Sequence, residues 1–66
     1  MSSTIERARA YQVQGQTLRA VGLMQNLVET EPTNDNLTFL ADLYMQQGLF
    51  DDAAELYLRV VKAELR

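Results

Sequence analysis

Residues 37–60, LTFLADLYMQQGLFDDAAELYLRV, carry one apolar spacing twice, with a glycine between the copies. Leu37, Leu40, Ala41 and Tyr44 stand at i, i+3, i+4 and i+7, and Ala53, Leu56, Tyr57 and Val60 repeat that order. At about 3.6 residues per turn each set lines one face of an α-helix, and Gly48 is the break between them. No run alternates apolar and polar residues with β-branched enrichment, so strands are not expected. The stretch reads as two helices joined by a short turn.

The same unit stands once more upstream. At an offset of 33 residues Ala8 matches Ala41, Tyr11 matches Tyr44, Gln14 matches Gln47, Gly15 matches Gly48, Ala20 matches Ala53 and Leu23 matches Leu56. Val28 falls over Val61 and Leu27 over Val60. A period of this length belongs to stacked helical units or to ankyrin-type units, and the absence of strand and β-turn signals favours the helical kind. The expectation is an all-α chain of four helices near residues 3–14, 17–30, 35–47 and 51–65. Ser3 followed by Glu6 has capping-box spacing, and Asp52 with Glu55 puts acids at the start of the fourth helix. Pro32 turns its predecessor away from helix, and the polar residues after it suit an N-cap for the third. Gly15 and Gly48 sit where a left-handed residue ends the first helix of each pair.

These residues resemble the tetratricopeptide repeat, whose signature runs W-x2-L-G-x2-Y, then A-x3-F, then P. In the second copy Leu37 stands for the aromatic, Leu40-Ala41 for the Leu-Gly pair, Tyr44 for the Tyr, and Ala53-x3-Tyr57 for the Ala-x3-Phe step. The first copy departs from the pattern at Thr4 and Arg7 but keeps Ala8, Tyr11, Gly15, Ala20 and Pro32. The resemblance covers nearly the whole chain. It implies a single domain over 1–66, with repeats over about 1–33 and 34–66, folded as two helix-turn-helix hairpins stacked into a short right-handed superhelix. Ala8, Ala20, Ala41 and Ala53 are small where paired helices would cross closely, which supports that fold independently.

The function the resemblance implies is protein recognition. In such repeats the first helix of each pair lines a concave groove. Carried onto this sequence, the groove residues are Ile5, Glu6, Arg9, Gln12 and Val13, then Thr38, Phe39, Asp42, Met45 and Gln46, with Arg9, Gln12, Phe39, Asp42 and Met45 the chief candidates. Some family members clamp a C-terminal carboxylate with lysines and asparagines on these helices. Here those places hold Ile5, Arg9, Thr38 and Asp42, so that clamp is not preserved.

Composition limits the other classes. Nine acidic against six basic residues give a net charge of −3, which argues against a nucleic-acid or anionic membrane surface. The first residues lack the apolar core of a signal peptide, and no apolar stretch approaches the roughly 18 residues of a membrane span, so a cytoplasmic protein is expected. With no histidine and no cysteine, the commonest base, nucleophile and transition-metal ligands are missing. Asp51 and Asp52 are adjacent and diverge by about 100° on a helix, so they form no catalytic pair. Three scattered glycines make no phosphate cradle. The expectation is a non-enzymatic interaction module without a cofactor or metal, acting on a protein or peptide partner.

One surface suggests that the partner is a second copy. On the fourth helix Leu56, Tyr57 and Val60 share the face that turns toward its hairpin mate, while Ala54, Leu58, Val61 and Leu65 form a second apolar stripe about 100° away. In the first copy the equivalent stripe holds Val21 and Val28, with the third helix to cover them, and the polar Gln25 in place of Leu58. A chain of 66 residues sits where one core barely suffices, so a symmetric homodimer through Ala54, Leu58, Val61 and Leu65 is expected. The alternative is an adaptor or chaperone that captures a peptide in the groove.

Overall fold

The computed structural model describes residues 3–65. They form four helices, α1 (Thr4–Val13), α2 (Thr17–Thr30), α3 (Asn34–Gln46) and α4 (Phe50–Glu64), and no strand occurs among the described residues. Each boundary lies within one residue of the sequence expectation. None of the helices is long and apolar enough to cross a membrane.

The turns have identifiable causes. Gly15 and Gly48 take φ of +78° and +75°, the left-handed region that a Cβ disfavours. After α1, Gln16 N–H donates to the Tyr11 carbonyl at 2.8 Å and Gly15 N–H to the Gln12 carbonyl at 3.1 Å. After α3, Leu49 N–H donates to the Tyr44 carbonyl at 2.9 Å and Gly48 N–H to the Met45 carbonyl at 3.0 Å. Both ends therefore form the Schellman arrangement, which satisfies carbonyls that the helix leaves open and reverses the chain. At the helix starts, Ser3 Oγ accepts from Glu6 N–H at 3.1 Å and Thr33 Oγ1 from Asn36 N–H at 3.2 Å. Helix α4 begins at Phe50, one residue earlier than expected, on Leu49 as N-cap with no side-chain cap bond; Asp51 and Asp52 both occupy its first turn. Their charge complements the exposed N–H groups there.

Neighbouring helices pack in chain order, α1 on α2, α2 on α3 and α3 on α4, giving two hairpins side by side. Ala8, Ala20, Ala41 and Ala53 are all fully buried, as small residues at close helix crossings should be. Around them lie Val21, Met24, Leu37, Leu40, Leu43 and Leu56, of which Met24 and Leu43 are the largest fully enclosed side chains. Tyr11, Tyr44 and Tyr57 are half-buried against this core. Their rings pack inward while the hydroxyl of Tyr44 accepts from Gln25 Nε2 at 2.9 Å.

Candidate functional site

Helices α1 and α3 are the first members of the two hairpins, and a groove of about 570 Å³ opens between them. It is lined by Ile5, Arg9 and Gln12 from α1 and by Asp35, Thr38, Phe39, Asp42 and Gln46 from α3. These positions recur every three or four residues, so one face of each helix turns to the groove. The Arg9 guanidinium carbon lies 5.2 Å from the centre of the Phe39 ring, a cation–π contact that spans from α1 to α3. The Tyr57 hydroxyl on α4 donates to Asp42 Oδ1. That bond ties the second helix of the hairpin to a carboxylate of the groove. It also holds the Tyr57 phenol above its ordinary pKa of 10.0, chiefly because the hydrogen bond favours the protonated form, then through desolvation and the Asp42 charge.

Of the residues singled out from sequence, Arg9, Gln12, Phe39 and Asp42 come together in this groove. Met45 stands outside its lining and is 44% exposed. Glu6 and Val13 are also outside; on α1 they sit roughly 40–60° past Arg9, away from Ile5 and Gln12. Asp35 was not anticipated. Its signal was its spacing seven residues before Asp42, two turns along the same face. The Tyr57–Asp42 bond was not anticipated either, since it joins two helices and no local motif announces it. The groove offers carboxylate acceptors, one guanidinium, two side-chain amides and an aromatic face, a mixture suited to binding. No cluster of three or more potential metal ligands occurs among the described residues.

A second surface lies on α4. Leu58 is 52% exposed, Val61 49% and Leu65 81%, and Ala54 beside them is exposed as well. The counterpart positions in the first hairpin differ: Val21 is buried, Val28 half-buried, and Gln25 is held by its bond to Tyr44 on α3. Exposed apolar side chains also gather near the hairpin turns, at Val13, Leu18, Leu49 and Phe50.

A family model described as Tetratricopeptide repeat matches residues 13–65. The match begins at the last residue of α1, beyond Thr4 and Arg7, where the sequence departs from the repeat signature. No curated protein and no solved structure matched the chain.

Proposed function

The chain belongs to the tetratricopeptide repeat family, whose repeats generally mediate protein–protein interactions, and from that premise we propose that it is a non-catalytic interaction scaffold, a single two-repeat domain over 1–66 that self-associates. The observation that carries self-association is the apolar stripe of α4, with Leu58, Val61 and Leu65 open to solvent while Val28, the counterpart of Val61 in α2, is half-buried and Val21, the counterpart of the exposed Ala54, is buried. Large exposed apolar patches on small soluble domains mark contact surfaces, and an isologous pair is the commonest way to cover one. The test is sedimentation velocity of the parent and of Leu58→Glu with Leu65→Lys, across a wide concentration range. Association of the parent and a monomeric variant are expected. A folded parent still monomeric at about 50 µM defeats the reading, since mass action at that concentration reveals even modest affinity.

A second reading is favoured by the groove itself. Arg9 over Phe39 and Asp42 fixed by Tyr57 present an ordered polar and aromatic surface on the helices that line such grooves in this family. In this reading the chain is an adaptor that holds a peptide against Arg9, Gln12, Phe39 and Asp42, with Met45 at the margin. Phe39→Ser then weakens partner binding more than it lowers the melting temperature. The opposite ranking identifies Phe39 as a packing residue only.

A further inference from the structure

Resting on the reading that the chain self-associates, we propose that the second copy docks with α4 antiparallel to α4 about a two-fold axis, so that Glu55 of each copy faces Lys62 of the other. The exposed apolar residues Ala54, Leu58, Val61 and Leu65 are separated by four, three and four positions. That alternation is the seam of a helix pair, in which each side chain enters a hole on the facing helix. Antiparallel pairing layers Ala54 on the partner's Leu65 and Leu58 on the partner's Val61, so a small residue meets a large one at each end.

The charges flanking the seam select this direction. Glu55 follows Ala54 and Lys62 follows Val61, so both lie along the same edge, and both are exposed. Antiparallel pairing sets that edge against its symmetry mate and forms the Glu55–Lys62 contact twice. Parallel pairing instead sets Glu55 against the Phe50 side and Lys62 against the Tyr57 side, with no charge to meet. In the antiparallel arrangement the two helix dipoles also oppose.

Head-to-tail stacking has no comparable surface. The buried leucines of α3, Leu37, Leu40 and Leu43, correspond to Thr4, Arg7 and Ala10 in α1, where Arg7 and Ala10 are exposed. Docking α4 of one copy on α1 of the next places Leu58 and Val61 against a polar face, whereas the two-fold pairing sets apolar on apolar and closes.

The experiment uses charge exchange on the full chain, at low ionic strength because exposed pairs are screened by salt. Glu55→Lys alone makes all four edge charges of a homodimer positive, and Lys62→Glu alone makes all four negative. Both sites are exposed, so each variant keeps its fold, checked by helical circular dichroism. Each single variant is expected to self-associate about tenfold more weakly than the parent, from two contacts turned from attraction to repulsion. An equimolar mixture of the two variants is expected to recover parent-like association, as one all-positive edge meets one all-negative edge. Singles that associate like the parent, or a mixture no tighter than either single, overturn the antiparallel pairing while leaving self-association standing. A parent that stays monomeric at about 50 µM overturns both.

Discussion

Gly48 shows how much one residue decides. Its φ of +75° puts it in the left-handed region, yet a Cβ built there would meet nothing within 4 Å. The cost of Gly48→Ala is therefore backbone strain alone, about 1–2 kcal/mol, measured as a lowered denaturation midpoint with an unchanged m-value. Gly22, inside α2 and equally open, predicts the opposite sign, because alanine is the better helix former by about 1 kcal/mol. Tyr57 makes a pH prediction. Its folded pKa is raised, so the folded state holds the phenolic proton more tightly than the unfolded chain does. The stability this contributes is complete below the ordinary pKa of 10.0 and is lost as pH climbs through the folded value. Tyr57→Phe should remove that alkaline loss and cost about 0.5–1 kcal/mol at neutral pH, as an exposed hydrogen bond does. An unchanged alkaline profile in urea titrations from about pH 8 to 11, the range around a free phenol's pKa, would refute this.

At the scale of elements, the joint between the hairpins rests on a buried polar residue. Asn36 is 6% exposed, its Nδ2 donates to the Glu31 carbonyl at 2.9 Å, and its own N–H is capped by Thr33. Asn36→Leu keeps the number and branching of side-chain heavy atoms but leaves that carbonyl without its donor. A loss of about 1–3 kcal/mol is expected, and a substitution neutral in thermal melts would show the carbonyl already satisfied by water. This joint also marks the limit of what the sequence makes legible. The four helices are readable because apolar spacing, Pro32 and two glycines each act locally and agree with one another. The groove is readable only through the family resemblance, since nothing in the spacing says that Arg9 reaches Phe39. Asn36 and the Tyr57–Asp42 bond escape because each depends on a partner brought near by packing. The same resemblance implies Met45 as a groove residue, yet it stands outside the lining residues.

The whole molecule is a slab of 36 × 30 × 15 Å with a radius of gyration of 11.6 Å, slightly above the roughly 10.8 Å of a compact domain this size. Its accessible surface of 4650 Å² is about a tenth larger than mass scaling gives for a compact monomer. A slab has little interior, so the burial offered by a second copy is a large fraction of what holds it folded. Association then couples to unfolding, and stability depends on concentration by mass action. At concentrations above the dissociation constant, a dimer that unfolds to separate chains should gain about 5 °C in melting temperature per tenfold increase in protein, given an unfolding entropy of roughly 2.1 cal/mol/K per residue. The shift fades toward zero below the dissociation constant, where folded monomer predominates. Leu58→Glu should abolish it by putting a carboxylate into the apolar seam, while its own melting temperature stays near that of the dilute parent because Leu58 is 52% exposed. Melting followed by helical circular dichroism over two decades of concentration separates the cases. A parent curve that does not move up to about 50 µM means that α4 holds no copies together at that concentration, and the slab is then stable on its own core.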